Sequence, residues 1–293
     1  MRLLAALLVV IVNYNVENLF HPAHDSLKDD LEWTADGERH WTYTRYNRKV
    51  ENIARVLTNI GEWDGVDIVG LQEVEDSLCL KRLCYTLRRG EYDFVHYDSP
   101  DRRGIDVALL YKKARIDTVR TRPIRVPLGE ETTRDILYVC AAVDKRDTLH
   151  LFVCHLPSQR GGKAESQWKR DQAKRVLQAA VNSLLSVDSR AKIIIMGDMN
   201  DAPKADLNGL ANRMTDLQNA GQGTHKYRGV WTCLDQFYTS SALDSLSTVR
   251  IYDAEWIQES DEKNLGLKPK RTYNGFHYQN GYSDHLPIVL YLR

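Results

Sequence analysis

Runs of hydrophobic residues alternate along the chain with segments of helical periodicity, and this alternation predicts the secondary structure. Short runs rich in branched and aromatic residues predict strands. They lie at residues 8–14, 66–71, 94–97, 106–111, 137–143, 149–155, 191–196, 236–239, 247–252 and 288–292. Apolar residues that recur every three to five positions predict amphipathic helices around residues 46–57, 78–88 and 166–185.

The order of these elements predicts the fold class. Strands and helices repeat coarsely across two halves, about residues 8–145 and 146–293, which we expect to be pseudo-symmetric. Mixed order of this kind predicts an α/β (α+β) fold with four layers, in which two packed mixed β-sheets are flanked by helices. A length of 293 residues with 43% hydrophobic content fits one domain over residues 1–293.

Two segments have no clear periodicity or allow two interpretations. Residues 1–12 hold one arginine and then ten apolar residues, so they are either a first strand or a residual signal-like segment. The run is too short to cross a bilayer, and we expect no stable membrane insertion. Localisation therefore stays open between cytoplasmic and secreted or periplasmic. Residues 21–45 predict a long loop that forms one wall of a cleft.

Charge and cysteine content exclude several classes of function. Forty basic residues balance 40 acidic ones, so no global field attracts nucleic acid or anionic lipid, and any polyanion must bind a local patch. Five cysteines form an odd number without CxxC spacing, which argues against a disulfide scaffold or a zinc site. The five are Cys79, Cys84, Cys140, Cys154 and Cys233. Four of them lie in apolar segments, where we expect small buried thiols.

Polar residues stand next to four of the predicted strands, and they suggest a phosphate-cleaving site. Ligand sites in layered α/β folds gather at strand ends. A hard cation such as Mg²⁺ binds one or two carboxylates and keeps waters and substrate oxygens, a chemistry that Asn15, Glu73 and Asp284 supply. Phosphoester hydrolysis also needs an aligned water and donors for the developing charge. His155, Asp198, Asn200 and His285 are suited to those tasks.

Each of these residues also has a purely structural interpretation. Asp198, Asn200 and Asp284 could close turns beside strands, as Asx residues often do. Their combination with Glu73 and His155 favours a site. Cys154 stands beside His155, but strand alternation directs its thiol into the core rather than into a Cys-His pair.

Seven short motifs occur in one order over nearly the whole chain. They are NYNVENL at 13–19, GLQEV at 70–74, GIDVALLY at 104–111, HLPS at 155–158, GDMND at 197–201, LDQFY at 234–238 and SDHLP at 283–287. In this order the chain resembles the endonuclease/exonuclease/phosphatase superfamily, whose fold is that of deoxyribonuclease I. Its members include exonuclease III, the AP endonucleases, inositol polyphosphate 5-phosphatases and neutral sphingomyelinases.

The resemblance implies which residues bind the metal or lie beside it. Glu73 matches the principal metal ligand, helped by Asn15, and Glu17 stands where AP endonucleases carry a second acidic metal-site residue. Asp284 is expected within reach of the metal, because alternation along the last strand turns it away from His285. The implied cofactor is Mg²⁺ or Mn²⁺, with Ca²⁺ as a further candidate.

The resemblance also implies catalytic roles. Asp198 matches the residue that orients or deprotonates the attacking water, and Asn200 anchors phosphate or water beside it. Asp235 matches the carboxylate that fixes the ring of His285, which contacts the phosphoryl oxygens. His155 matches the first catalytic histidine of deoxyribonuclease I and the sphingomyelinases. AP endonucleases carry tyrosine there, which argues against a dedicated abasic-site enzyme.

Basic loops near these motifs supply candidate ligands for the substrate phosphate. Arg160 and Ser158 lie in the polar loop after His155, and Arg103 precedes Gly104. The alternative is a flexible loop with solvated charges. Basic and aromatic residues also interleave over 268–278, where they either clamp a nucleotide or pack the rim of a cleft.

These observations predict a divalent-metal-dependent phosphoesterase that cleaves phosphodiesters by direct attack of water, most like a nuclease. One alternative is a phosphatase or phospholipase C-type hydrolase acting on inositol phosphates or sphingomyelin, and another is a catalytically inactive binding scaffold. The net charge of zero weakens the hypothesis of a nuclease. Residues 234–236 are Leu-Asp-Gln where 5-phosphatases carry Cys-Asp-Arg, which weakens the hypothesis of an inositol phosphate phosphatase. We expect a monomer that acts on a phosphoester substrate, with nucleic acid among the candidates, and no obligate protein partner.

Overall fold

Two six-stranded mixed β-sheets pack against each other in the computed structural model, which describes residues 8–159, 161–204 and 207–293. The first sheet comprises β1 (Val9–Leu19), β2 (Ile68–Val74), β3 (Tyr92–His96), β4 (Asp106–Lys112), β13 (Ser247–Ile251) and β18 (Ile288–Leu292). The second comprises β5 (Ile116–Ile124), β6 (Ile136–Val143), β7 (Asp147–His155), β8 (Lys192–Asp198), β9 (Ala211–Asn212) and β12 (Asp235–Thr239). In space the first sheet has the order β13-β18-β1-β2-β4-β3, and the second β5-β6-β7-β8-β12-β9.

The remaining strands form three small hairpins outside the sheets. They are β10 (His225–Tyr227) with β11 (Val230–Thr232), β14 (Gln258–Ser260) with β15 (Leu267–Pro269), and β16 (Tyr273–Asn274) with β17 (His277–Tyr278). Short 3₁₀ turns occur at Leu31–Trp33, Ser241–Leu243 and Glu255–Ile257.

Helices cover the outer faces of both sheets. Helices α1 (Tyr43–Gly61) and α2 (Ser77–Arg88) pack on the first sheet, and α3 (Lys163–Val187) packs on the second. A short helix, α4 (Thr215–Asn219), follows β9. The Asp76 side chain caps α2 by accepting a hydrogen bond from the Cys79 N–H at 2.8 Å. The predicted four-layer α+β fold is therefore confirmed.

Side-chain alternation along the second sheet separates two cores. In β8, Ile193 and Ile195 face α3, whereas Ile194 and Met196 pack between the sheets. Cys154 belongs to the α3 side, as predicted. Asp198 continues the inter-sheet row of Ile194 and Met196, so the strand delivers a carboxylate to the edge of the layer between the sheets.

Several predicted features can be compared with the structure. The strand β5 was missed because it is a sheet edge whose side chains, among them Arg120 and Arg122, are mostly exposed and give no hydrophobic run. The predicted loop over residues 21–45 is present as a long connection with one 3₁₀ turn, but it ends earlier than expected, because α1 begins at Tyr43. Strand β1 begins at Val9, and residues 1–7 lie outside the described part of the chain. Each sheet takes strands from both predicted halves, so neither half builds a sheet alone.

Two further expectations concern cysteines and membrane spans. All five cysteines are free thiols, and all except Cys140 are buried. Among residues 8–159, 161–204 and 207–293, none of the helices combines the length and hydrophobicity of a membrane span.

Gly197 permits the close approach of β7 and β8 directly before Asp198. Its φ is +154°, and a Cβ at this position would lie 2.0 Å from the backbone oxygen of Cys154. Because the neighbouring atom is backbone, a side chain here forces the two parallel strands apart. The position of the Asp198 carboxylate therefore depends on this glycine.

We expect Gly197→Ala to lower the free energy of unfolding by at least about 2 kcal/mol, through overpacking and backbone strain. Chemical denaturation measures the change. Gly90→Ala is the matched control, because Gly90 also has a positive φ, +85°, but open space around it. That control should cost about 1 kcal/mol. Equal losses in the two variants would contradict the importance of the close contact.

Candidate active site

Three of the predicted catalytic residues form one row across the second sheet. His155 is the register partner of Asp198 in the parallel pair β7/β8, and Asp235 is its partner in the antiparallel pair β8/β12. Residues in register share one face of a sheet, here the face toward the first sheet. His155 Nε2 lies 3.7 Å from Asp198 Oδ2 and 3.9 Å from Glu73 Oε1.

The first sheet contributes Asn15 and Glu73 to the same edge. The Asn15 side-chain amide donates to Glu73 Oε1 at 3.3 Å and to Asp198 Oδ2 at 3.1 Å. Its Oδ1 accepts from the Glu17 N–H at 3.0 Å, which fixes the orientation of the amide. Asn15 therefore links the expected metal ligand to the expected catalytic carboxylate.

Glu73 stands at an irregular point of β2. The pairing of β2 with β4 shifts register between Gln72 and Val74, and Glu73 has a φ of +66°, an uncommon conformation for a residue other than glycine. Its Oε2 accepts from the Asn18 N–H at 2.9 Å. The bulge directs the carboxylate out of the sheet toward Asn15 and His155.

The predicted contact between Asp235 and His285 is present. His285 Nδ1 lies 2.7 Å from Asp235 Oδ2, and its Nε2 lies 3.9 Å from Asp198 Oδ2. The other oxygen of Asp235 accepts from the Asn13 side-chain amide at 3.3 Å. Asp235 is fully buried, so its two partners are the groups that compensate its lost hydration.

The charges of the site favour an imidazolium at His285. Burial opposes its charged form, but Asp235, Asp198 and Asp284 outweigh burial and hold the pKa of His285 well above its usual value. Burial, together with the positive charges of Arg134, Arg103 and His285, holds the pKa of His155 well below its usual value. At neutral pH the site thus contains one charged and one neutral histidine.

Asp198 is buried, but its carboxyl group still ionises near neutral pH. Burial raises the pKa of Asp198 to about 6, with Asp235 and Glu73 adding to the effect and His285 opposing it. Its Oδ1 accepts from the Asn200 N–H at 2.8 Å. The Asn200 side chain donates to the Leu156 carbonyl at 3.0 Å, which fixes the turn after β8. Each carboxylate oxygen of Asp198 therefore has a donor.

Glu17 and Asp284 meet at an arginine. Arg271 donates to Glu17 Oε1 at 3.2 Å and to Asp284 Oδ2 at 2.7 Å. The Thr272 N–H donates to Glu17 Oε2 at 2.6 Å, and buried Lys49 lies 3.9 Å from the same oxygen. Each of these two predicted metal-site carboxylates thus has a cationic partner.

The expected divergence of Asp284 and His285 is wrong. Both precede β18, Asp284 in a bend and His285 in an isolated bridge to His225, so alternation along a continuous strand does not apply to them. Possible ligand atoms of Asp284, His285 and His225 all lie within 4.8 Å of one another. Burial alone would raise the pKa of Asp284, but His285 and Arg271 hold it below its usual value.

The predicted phosphate ligands have different positions. Arg160 lies outside the described residues. Ser158 lines one cleft together with Asn200 and His225, whereas Arg103 lines another cleft together with Asn18. Among the clefts of the described residues, Ser158 and Arg103 thus line different ones.

The two clefts open beside the catalytic row. The first cleft, of about 630 Å³, begins at Asn18 beside Glu73 and is otherwise lined mostly by the 21–45 connection, which confirms that this segment forms a cleft wall. The second cleft, of about 740 Å³, begins at Asn200 and His225 and continues along the β10/β11 hairpin. The catalytic residues lie between them.

Sequence reasoning missed His225 and understated Arg271. The His225 ring centroid is 4.9 Å from that of His285, and the two residues form a backbone bridge. The only sequence signal was the Arg228-Gly229 turn between two short alternating segments. Arg271 stood within the basic and aromatic segment 268–278, without a motif to connect it to Glu17.

Glu73 is suited to a hard divalent cation. Its side chain is 16% exposed, next to the buried carboxylate of Asp198, and a carboxylate at a cleft is the donor that Mg²⁺ prefers. His225, Asp284 and His285 are unsuited, because the charge of His285 and the guanidinium of Arg271 repel a cation. The donor set thus fits a metal at Glu73.

Solved structures similar to this chain share its fold. Truncated TDP2 of Caenorhabditis elegans has a TM-score of 0.65 at 16% identity and covers 98% of this chain and 97% of its own. The mannosyl-6-phosphatase of Bacteroides thetaiotaomicron has a TM-score of 0.58 at 16% identity, covering 97% and 100%. The human Nocturnin catalytic domain with bound sulfate has a TM-score of 0.59 at 17% identity, covering 98% and 93%. A search of curated proteins found no match.

A protein-family model described as the Endonuclease/Exonuclease/phosphatase family matches residues 10–293. This match spans both sheets and all the strand ends that build the site. The chain therefore belongs to the Endonuclease/Exonuclease/phosphatase family, whose enzymes are hydrolases acting on phosphoric ester bonds.

Proposed function

We propose that the protein is a divalent-metal-dependent phosphodiesterase that cleaves its substrate by direct attack of water. The observation that supports this most is the hydrogen-bonded connection from Glu73 through Asn15 to Asp198, with His285 and His155 on either side. A metal ligand (Glu73), a general base (Asp198) and a hydrogen-bond donor for the phosphoryl oxygens (His285) are thereby held close together. An inactive scaffold would be expected to have lost at least one of these groups, and all of them are present.

Glu73 would hold Mg²⁺ or Mn²⁺, with Ca²⁺ accommodated by the same oxygen donors, and Asn15 would support the site. Asp284 pairs with Arg271, so it would balance charge beside the metal rather than bind it. When bound, the metal supplies positive charge to the phosphoryl oxygens. Asn15 restrains Glu73 from one side and the Asn18 N–H from the other. Glu17 acts at a distance, by orienting Asn15 through its N–H and by pairing with Arg271.

Asp198 orients the attacking water and accepts its proton. Its pKa of about 6 leaves it ionised at neutral pH while keeping it more basic than an exposed aspartate. The Asn200 N–H and the Asn15 amide hold both of its oxygens, so the carboxylate keeps one orientation. No side chain of the site needs to form a covalent intermediate.

His285 donates to the phosphoryl oxygens. Asp235 binds Nδ1, which leaves Nε2–H directed toward Asp198 and the centre of the site. Neutral His155 supplies a second, uncharged partner on the Glu73 side. Ser158, Arg103 and Arg160 are proposed to contact the substrate farther out, Ser158 and Arg103 from different clefts.

The two clefts favour a diester over a monoester. A phosphomonoester needs room for one substituent, whereas this site has space on both sides of the catalytic row. Four acidic residues line the first cleft against two arginines, so a long polyanion is repelled there. They are Asp29, Glu32, Asp36 and Glu38. A small diester therefore fits better than duplex nucleic acid.

A phosphatase remains the second candidate. The similar Bacteroides thetaiotaomicron structure is a mannosyl-6-phosphatase, whereas a similar Danio rerio TDP2 structure holds a single-strand DNA product. A panel of bis-(p-nitrophenyl) phosphate, p-nitrophenyl phosphate, mannose 6-phosphate, inositol phosphates, sphingomyelin and single-stranded DNA separates these activities. Faster hydrolysis of the monoesters would favour the phosphatase.

We expect Glu73→Gln to lower kcat/KM for bis-(p-nitrophenyl) phosphate by more than about 100-fold, because the neutral amide binds a divalent cation poorly. Calorimetric titration with Mn²⁺ should show weakened binding in the same variant. Glu91→Gln, a change of an exposed acid outside the site, is the control. Unchanged Mn²⁺ binding and unchanged activity in Glu73→Gln would contradict the assignment.

We expect Asp235→Asn to move the alkaline limb of the kcat–pH profile to lower pH by about one unit or more. The carboxylate of Asp235 raises the pKa of His285, so its removal lets the imidazolium lose its proton at lower pH. The control is Asp244→Asn, which changes an acid that pairs with Arg213 away from the site. An alkaline limb that does not move would show that charged His285 is not required.

A further inference from the structure

One face of the β10/β11 hairpin forms a wall of the second cleft. His225 pairs with Thr232 and Tyr227 pairs with Val230, and paired residues of an antiparallel hairpin point to the same face. All four line the cleft. Lys226 and Trp231, which alternate with them, contact each other on the opposite face.

The hairpin is held rigidly in place. Its turn residues Arg228 and Gly229 both have positive φ, +47° and +83°, as a tight hairpin turn requires. On the outer face, the Lys226 ammonium donates to the carbonyls of Leu265 and Leu267 and lies 3.1 Å from Asp261 Oδ2. The cleft wall is therefore pre-organised, which lowers the cost of ordering it around a ligand.

The hairpin begins at the catalytic centre and leads away from it. His225 packs against the His285 ring at a centroid distance of 4.9 Å. Tyr227 lies two residues farther along the same face, which corresponds to about 7 Å in a strand. A substituent attached to a phosphate at His285 would therefore reach Tyr227 after a few bonds.

The outer end of the cleft combines apolar surface with positive charge. Tyr227 and Val230 are 62% and 65% exposed, which is unusual for two neighbouring apolar side chains on one rigid element. The Arg228 guanidinium lies 5.2 Å from the Tyr227 ring centroid. Lys163, 62% exposed, lines the same cleft and shares the Asp201 carboxylate, 3.9 Å away, with Lys174 and Lys204, so this group keeps an excess of positive charge. An aromatic face beside two cations suits a planar ring that carries an anionic group.

The first cleft has the opposite character. Its four carboxylates outnumber Arg39 and Arg103, so an anionic substituent avoids that side of the catalytic row. The difference between the clefts gives the diester a fixed direction.

We propose that the second cleft is a subsite for a nucleotide unit of the substrate, with the base stacked on Tyr227 and an adjoining phosphate near Arg228 and Lys163. This inference rests on the proposed phosphodiesterase function and adds the chemical class of one substituent. Tyr227 is a specificity residue here and takes no part in the reaction at phosphorus.

Calorimetric titration in Mg²⁺ with thymidine 5′-monophosphate and with 2-deoxyribose 5-phosphate tests the subsite. The parent should bind the nucleotide at least about fivefold more tightly than the sugar phosphate, because stacking contributes roughly 1–3 kcal/mol per base. Tyr227→Ala should remove this difference, and Tyr227→Phe, which keeps the ring, should retain it. All three proteins should bind the sugar phosphate equally.

Hydrolysis of bis-(p-nitrophenyl) phosphate by the same preparation tests the proposed function separately. If the parent hydrolyses this diester but binds nucleotide and sugar phosphate equally, the subsite is wrong and the function stands. If the parent hydrolyses no ester, the phosphodiesterase proposal fails whatever the titrations show. Tighter binding of dodecyl phosphate than of the nucleotide would assign the cleft to an aliphatic chain and overturn the nucleotide subsite.

Discussion

Two buried asparagines of β1 join the sheets, and the geometry of the site depends on them. Asn13 accepts from Gln72 in the first sheet at 2.8 Å and donates to Asp235 in the second, while Asn15 donates to Glu73 and to Asp198. They are two residues apart, so both face the second sheet. Amides at these positions give each buried carboxylate of the second sheet a donor from the first. Apolar residues there would leave the buried carboxylates of Asp198 and Asp235 short of hydrogen-bond donors.

The same edge collects an excess of negative charge, and the protein balances it with cations from helix α1 and from the segments before β16 and β18. Glu17, Asp198, Asp235 and Asp284 are all largely buried. Arg271 and Lys49 compensate the Glu17 and Asp284 side, and His285 compensates the Asp198 and Asp235 side. Burial lowers the pKa of Lys49 to about 8, which reports the cost of placing an ammonium under this site. Because buried ion pairs add little net stabilisation, this network contributes to the arrangement of the site more than to the stability of the fold.

The sequence predicted most of the fold and the centre of the site, because both depend on local signals. Continuous apolar runs marked the central strands, and the polar residues that end them lie together because parallel strands share an edge. The edge strand β5 has no such signal, since its side chains face solvent. The direction of the Asp284 side chain was predicted wrongly, because the sequence does not distinguish the bend before β18 from the strand itself. His225 was missed because its strand has only three residues, too few to give a sequence pattern, and because its place in the site depends on packing against His285.

The pairing of β18 has a consequence for synthesis of the protein. The last strand lies between β13 and β1 and completes the first sheet, and the segment directly before it supplies Asp284 and His285. A chain emerging from the ribosome forms its amino-terminal contacts first. Until residues 285–292 emerge, β1 keeps an unpaired edge and Asp235 has no imidazole to bind. The contact between Asp235 and His285 therefore cannot form during synthesis until β18 has left the ribosome and paired with β1 and β13.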